Sequence, residues 1–161
     1  MDDDPSPSAA PRLGFDIRVS SAVGRLPVAR GRIADVAARV LRGERAVGVV
    51  LTVTFVSGRA IARLNRRHLG HAGETDIITF EHARGARGGP RVGDVYIAVD
   101  VARRNARDAR CGVREEVVRL TIHGVLHTLG WDHPGEGDRR GSPMWRRQEW
   151  WVQRLRQAGQ W

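Results

Sequence analysis

The chain has 161 residues, of which 41% are hydrophobic, and it carries a formal net charge of +9 at pH 7. This length suits one domain with one core, and no run of 18 apolar residues is present to form a transmembrane helix. The single cysteine, Cys111, excludes an internal disulfide, and all 27 basic residues are arginine. Such a basic chain is expected to be attracted to polyanions, although charge alone is weak support for RNA binding.

The first residues differ in composition from the rest of the chain. Residues 1–12 are rich in Asp, Pro, Ser and Ala, which predicts a disordered tail ahead of a single domain over residues 13–161. The acidic start has no apolar segment typical of a secretory signal. We therefore expect a cytoplasmic protein that is not attached to a membrane.

Two strands and two helices are predicted in the first half of the domain. Residues 15–19 alternate between apolar and charged or polar side chains, and residues 47–56 form a β-branched run, so both segments are predicted strands. Ser57 is placed to cap a helix over residues 58–69. The helix predicted before the second strand has five apolar residues at helical spacing: Ile33, Val36, Ala37, Val40 and Leu41.

Two further strands are predicted over residues 75–81 and 92–99, with a solvated loop rich in Gly and Arg at 82–91. Asp100 is placed to cap a short helix that ends at Gly112. The inner face of this helix is expected to consist of small side chains: Ala102, Ala106 and Ala109.

A final helix is predicted to begin near Ser142, with proline in its first turn. Its predicted apolar face consists of Met144, Trp151, Val152 and Leu155. Trp145 and Trp150 are also expected to pack, rather than to provide surfaces on which bases stack. The complete order of elements predicts an α+β domain in which a small mixed sheet is covered by helices, with the helix at 114–129 in the centre.

Residues 123–133 contain the motif that organises the chain, His-Gly-Val-Leu-His-Thr-Leu-Gly-Trp-Asp-His. If the helix extends to about Leu129, His123 and His127 lie one turn apart on one face. Gly130 accepts the left-handed conformation in which helices often end, so the chain can fold back and bring His133 to the same point. Three of the six histidines therefore form a candidate metal site.

The chemistry of three imidazole ligands favours zinc. Three protein ligands leave the fourth tetrahedral position open, which is typical of a catalytic zinc rather than a structural one. The spacing also matches the metalloprotease pattern H-E-x-x-H-x-x-G-x-x-H at its histidines and glycine. Gly124 stands where that pattern has its catalytic glutamate, so a peptidase is disfavoured.

The histidine run resembles the signature of the YbeY family of bacterial metal-dependent endoribonucleases, commonly H-G-x-L-H-L-x-G-Y-D-H. The chain differs from this signature at Thr128 and Trp131, neither of which is a ligand position. Residues 75–80 are similar to the family's T-[DN]-V-L-S-F strand, and residues 93–97 to its G-D-I-x-I strand. The resemblance extends over roughly residues 33–155.

The resemblance implies a single-strand-specific endoribonuclease that acts with one zinc ion in the maturation of the 3' end of 16S rRNA and in ribosome quality control. Its expected partners are ribosomal RNA and ribosomal particles. Many members carry an arginine, thought to contact RNA, where this chain has Leu69. A ribosome-assembly or RNA-binding factor with a stabilising zinc therefore remains an alternative. No general base is assigned, and Asp132 is expected to form a turn contact or to orient a ligand histidine.

Overall fold

The computed structural model describes residues 14–82, 88–134 and 139–161, and within these ranges the chain forms four strands and five α-helices. The predicted tail at 1–12 and the middle of the predicted loop at 82–91 lie outside them. No helix in the described ranges has the length and the apolar character needed to cross a membrane. The elements are β1 (Phe15–Ser21), α1 (Arg30–Gly43), β2 (Val49–Val56), α2 (Gly58–Leu69), β3 (Ile77–His82), β4 (Arg91–Ala98), α3 (Val99–Asp108), α4 (Val113–Thr128) and α5 (Pro143–Gln157), with a 3-10 turn at Arg139–Gly141.

The four strands form one mixed sheet in the order β1-β2-β4-β3. Strands β1, β2 and β4 are parallel, whereas β3 pairs with β4 in the antiparallel direction. Parallel neighbours require a crossover connection, which α1 provides between β1 and β2. The predicted α+β architecture with a small mixed sheet is confirmed.

Burial confirms the helical periodicity predicted for α1. Each of the five apolar residues predicted for the inner face of α1 has an exposed fraction of zero, and the same is true of Leu51, Val53 and Phe55 on β2. These residues belong to one hydrophobic core, to which α4 and α5 also contribute. The core therefore lies between the sheet and the helices that cover it.

Helix α4 occupies the centre of the domain, as predicted. It packs against α1, α3 and α5 and lies on β3 and β4, and most of its residues are buried. A Cβ atom added at Gly124 would lie 2.6 Å from Cγ1 of Val95 on β4, a separation that is too short for two carbon atoms. Glycine at this position lets α4 approach the sheet closely, and the helix is buried except at its first residues and along the face that carries His123 and His127.

Two predicted helix ends are wrong. Helix α3 follows β4 without a loop, so Ala98 is the N-cap and Asp100 lies in the first turn. The Asp100 carboxylate instead accepts a hydrogen bond, 2.7 Å long, from the N–H of Gly58 at the start of α2. Gly112 does not end α3, because that helix stops at Asp108; Gly112 is the N-cap of α4. Ala109 consequently lies beyond the helix and is exposed.

Trp145 and Trp150 are more exposed than their expected packing implies, although Trp150 does contact the ring of Trp151. Helix α5 begins after Ser142, as predicted, and the four residues of its predicted apolar face are buried. Trp145 and Trp150 project away from this face, and 37% and 44% of their surfaces are exposed. Since α5 contacts the core along only one stripe, tryptophans at other positions of the helix remain at the surface.

Candidate metal centre

Two of the three predicted ligand histidines lie one turn apart on α4. His123 and His127 are within the helix, which ends at Thr128 with Leu129 as its C-cap. Gly130 follows with a φ of +90°, a conformation that residues with a side chain rarely adopt. The N–H of Trp131 donates to the carbonyl of Leu126 across this turn, at 3.0 Å. The chain is thereby reversed immediately after the helix.

The reversal brings the third histidine to the other two. The candidate ligand atoms of His123, His127 and His133 all lie within 4.8 Å of one another. The centroids of the three rings are separated by 4.7, 5.5 and 5.0 Å. The nitrogens are therefore close enough together to hold one metal ion. Of the remaining histidines, His82 lies away from this group and instead has its Nε2 atom 2.7 Å from Oδ2 of Asp94.

Two of the three imidazoles also make a hydrogen bond to a protein oxygen. Nδ1 of His123 lies 2.7 Å from Oε1 of Gln148, and Nδ1 of His133 lies 3.3 Å from the carbonyl oxygen of Pro134. An oxygen acceptor places the proton on the nitrogen that faces it. In His123 and His133, Nε2 therefore has its lone pair available for a metal.

The protonation states of the rings favour metal binding. Burial is the main cause that lowers the pKa of His123 to about 4, with smaller contributions from His127 and His133, and it outweighs the opposing effect of the Gln148 hydrogen bond. Burial, followed by the charge of His133, also lowers the pKa of His127. Both rings are consequently neutral near pH 7, and the neutral imidazole is the form that binds metals. The residues present therefore fit an ion that prefers nitrogen ligands.

The histidine triad lines a cleft with a volume of about 650 Å³. Two carboxylates, Asp76 and Glu116, line the same cleft. Burial raises the pKa of Glu116, against the opposing hydrogen bond of Arg119. The cations that line the cleft are Arg119, Arg139 and Arg140. The lining of the cleft thus combines these three cations with two carboxylates around the candidate ligands.

An ion-pair network connects α4 to α5 at this cleft. The Arg119 guanidinium binds Glu115 at 2.9 Å, Glu116 at 2.8 Å and Glu149 at 2.8 Å. Burial opposes the charge of Arg119, but hydrogen bonds to Glu149 and Glu115 outweigh it and raise the pKa of the guanidinium. The amide Nε2 of Gln148 donates to Oε1 of Glu149 at 3.0 Å. The network therefore fixes the amide whose other end faces His123.

Asp132 has the turn contact that was expected of it. Its Oδ1 atom accepts a hydrogen bond, 2.8 Å long, from the N–H of the next residue, His133. This contact lies within the segment that returns from Gly130 toward the triad. Asp132 thus stabilises the backbone that presents His133.

Gln148 is the site residue that the sequence analysis missed. It is only 6% exposed, and it lies on the same stripe of α5 as Met144 and Trp151. A polar residue within an apolar helical stripe is a signal that the sequence did contain, because buried amides need hydrogen-bond partners. The identity of that partner could not be read from the spacing along α5.

Thr79 on β3 also lines the cleft and has an unusual environment. Its Oγ1 atom is buried and, among the residues that the structure describes, is the one buried side-chain polar atom without a hydrogen-bond partner. Such atoms are rare because the hydroxyl has lost its water and gained no acceptor.

Comparisons with known proteins place these features in a family. A sequence profile described as Endoribonuclease YbeY matches residues 25–156. A Chlorobium phaeobacteroides (strain BS1) protein named Endoribonuclease YbeY is 35% identical over 116 residues, which are 72% of this chain and 80% of the relative. A protein of the same name from Anaeromyxobacter sp. (strain Fw109-5) is 36% identical over 124 residues, or 77% of this chain and 65% of the relative.

The fold is shared with a solved structure. The solution structure of TM1509 from Thermotoga maritima superposes with a TM-score of 0.62 and covers 89% of this chain and 91% of that protein. The sequence identity of 24% makes this a similarity of fold alone. The profile match spans most of the described domain, including all three histidines of the triad. The chain therefore belongs to the YbeY endoribonuclease family.

Proposed function

We propose that this chain is a zinc-dependent endoribonuclease that cleaves single-stranded RNA, with one zinc ion held by His123, His127 and His133. The observation that carries the proposal is the convergence of three imidazoles within 4.8 Å in an open cleft. Three nitrogen ligands favour zinc over magnesium or calcium, which prefer oxygen.

The residues of the chain have separate roles in this proposal. When bound, the ion would act as a Lewis acid toward a phosphodiester oxygen and would lower the pKa of coordinated water. Gln148 holds the His123 ring so that Nε2 faces the metal position. Arg139 and Arg140, which line the cleft, attract the phosphates that flank the scissile bond and offset the charge that develops during cleavage.

The biological setting is proposed on the basis of family membership. The relatives are named as endoribonucleases, and the chain carries a net charge of +9, which favours an RNA substrate. We propose that the substrate is ribosomal RNA, that the reaction contributes to maturation of the 3' end of 16S rRNA and to ribosome quality control, and that the protein acts on ribosomal particles in the cytoplasm.

One observation favours a second candidate function. Leu69 at the end of α2 lines the cleft and is 47% exposed, at the position where the family resemblance leads us to expect an arginine. A leucine cannot bind a phosphate group. The second candidate is therefore a ribosome-assembly or RNA-binding factor in which the zinc ion stabilises the fold and no RNA is cleaved.

A metallopeptidase is disfavoured by the packing of α4. The catalytic glutamate of the related protease pattern would have to replace Gly124, the residue after His123. At this position even a Cβ atom would lie 2.6 Å from Val95. A glutamate side chain would therefore meet the sheet rather than enter the cleft.

Metal analysis combined with an RNA assay tests the proposal. Elemental analysis of the purified protein is expected to find one zinc ion per chain, and His127→Ala is expected to lose most of it. His71→Ala is the matched control, since His71 lines the same cleft but is not part of the triad. Full zinc occupancy in His127→Ala would contradict the ligand assignment.

The RNA assay separates the two candidate functions. The wild-type protein is expected to cut a fragment that spans the 3' end of 16S rRNA, and His123→Ala is expected to reduce cutting to background. If both proteins bind the fragment and neither cuts it, while zinc removal lowers the melting temperature, the non-catalytic candidate is correct.

A further inference from the structure

Trp145 is an exposed residue of the cleft that also contains the candidate metal centre. It is in the first turn of α5, where its N–H donates to Oγ of the capping Ser142 at 3.1 Å. The preceding residue, Met144, is buried in the core, so the start of the helix is fixed. The Trp145 side chain is 37% exposed and lines the same cleft as the histidine triad. A rigid helix terminus thus holds an exposed indole at the site of the proposed chemistry.

Trp150, the second exposed tryptophan of α5, has a different environment. The guanidinium carbons of Arg147 and Arg154 lie 4.6 and 5.2 Å from its ring centroid, and the Trp151 ring meets it edge to face at 4.8 Å. Trp150 is therefore already engaged in cation–π and aromatic contacts. In the part of the chain that the structure describes, no comparable ring or guanidinium contact is found for Trp145. Its indole face is available to a ligand.

The surroundings of Trp145 indicate the chemistry of that ligand. The described residues expose four large hydrophobic side chains, and two of them, Leu69 and Trp145, line this cleft. Arg139 and Arg140 line it as well. Apolar and aromatic surface next to guanidinium groups is complementary to a planar base attached to a phosphate backbone.

We propose that Trp145 is the platform on which a base of the single-stranded nucleic acid stacks, at a nucleotide close to the scissile phosphate. This inference rests on the proposed function, because it specifies how the same cleft holds its substrate. Every base has a π face, so the contact tolerates different sequences but requires an unpaired base. A base within a duplex is already stacked on its neighbours and is excluded.

Binding of two matched oligonucleotides tests the role of Trp145. The first is a single-stranded oligodeoxythymidylate of about eight nucleotides, and the second has the same length and charge but abasic sugars. Stacking on an aromatic side chain is worth about 1–3 kcal/mol per base, so Trp145→Ala is expected to weaken binding of the first oligonucleotide about 5- to 150-fold. Binding of the abasic oligonucleotide is expected to remain unchanged, because its phosphates still meet the same cations.

Two further variants serve as controls in the same assay. Trp145→Phe retains an aromatic face and is expected to bind the oligodeoxythymidylate within a few-fold of the wild-type affinity. Trp150→Ala removes an equally exposed tryptophan from the same helix and is expected to leave both affinities unchanged. If Trp145→Ala binds both oligonucleotides as the wild type does, or loses affinity for both by the same factor, the stacking role is overturned. If the Ala variant unfolds, Trp145→Leu, which keeps an apolar side chain but has no π face, replaces it and is judged by the same outcomes.

RNA cleavage provides a readout that distinguishes this inference from the proposed function. If the wild type cuts single-stranded RNA, Trp145→Ala is expected to raise KM more than it lowers kcat, since the base contact is made before cleavage. An unchanged KM would contradict the stacking role. If the wild type does not cut RNA at all, the proposed nuclease function fails, whereas the comparison of the two oligonucleotides still decides whether Trp145 binds a base.

Discussion

Nδ1 of His123 on α4 lies 2.7 Å from Oε1 of Gln148 on α5, so two helices meet at a candidate metal ligand. The other end of the amide is also occupied, because Nε2 of Gln148 donates to Glu149 at 3.0 Å. The amide therefore has one orientation, with its oxygen toward the imidazole. Through this contact, the packing of α5 determines which nitrogen of His123 is presented to a metal.

Replacing Gln148 with leucine is expected to lower the affinity for zinc about 10- to 100-fold, which is the usual effect of losing a group that orients a metal ligand. Gln148→Glu keeps an oxygen acceptor and is expected to retain most of the affinity. Competition with a fluorescent zinc chelator measures both values. Gln153→Leu, an exposed position on the same helix, is the matched control. Equal zinc affinity in Gln148→Leu and Gln153→Leu would show that the hydrogen bond has no role in metal binding.

A second prediction concerns the close contact between α4 and β4. Gly124→Ala places a Cβ atom 2.6 Å from Cγ1 of Val95, so we expect the free energy of unfolding to fall by about 1–3 kcal/mol through overpacking. Adding Val95→Ala removes the clashing atoms, and the double variant is expected to be more stable than the sum of the two single effects. Urea denaturation measures the free energy of unfolding of the wild type, the two single variants and the double variant. If the changes in unfolding free energy of the two single variants simply add in the double variant, the contact between residues 124 and 95 does not limit how closely α4 approaches the sheet.

The unpartnered hydroxyl of Thr79 leads to a third prediction. Thr79→Val removes a buried polar atom that has no hydrogen bond, so the free energy of unfolding is expected to rise by about 1 kcal/mol or more. Thr121→Val is the matched control, because the buried Thr121 hydroxyl donates to the carbonyl of Val117 at 2.9 Å. That change is expected to be destabilising. Thermal denaturation measures both changes in stability. If both variants are more stable than the wild type, or both are less stable, the environment described for Thr79 is contradicted.

The lowered pKa of His123 predicts how the metal-free protein responds to acid. Its pKa is about 4 in the folded chain against 6.5 as the reference value, so between these pH values the unfolded chain binds a proton that the folded chain does not. The free energy of unfolding therefore falls as the pH falls through this window, by up to roughly 3 kcal/mol.

Chemical denaturation of chelator-treated protein at several pH values between 4 and 6.5 measures this slope. His123→Gln removes the titrating ring. The slope of the unfolding free energy against pH is therefore expected to fall by an amount that corresponds to at most one proton. Identical slopes in His123→Gln and the wild type would show that burial does not suppress protonation of His123.

Local sequence signals were sufficient for most of the secondary structure. The spacing of apolar residues predicted the inner face of α1, and Ser57 and Ser142 were correctly predicted as helix caps, because both signals depend on residues within one turn. The prediction that Asp100 caps α3 is wrong because the hydrogen-bond partner of Asp100 is remote in the sequence. The carboxylate of Asp100 accepts a hydrogen bond from the N–H of Gly58, 42 residues away, and such a partner cannot be deduced from neighbouring residues.

The sequence by itself determined where the three histidines lie along the chain. His123 and His127 are fixed one turn apart by helix geometry, and Gly130 permits the reversal that returns His133, so their convergence depends on only eleven consecutive residues. The tertiary structure alone decided what surrounds them. The contact between Gln148 and His123, and the exposure of Trp145 in the same cleft, both depend on how α5 docks on α4, and that docking is set by packing between segments far apart in the sequence.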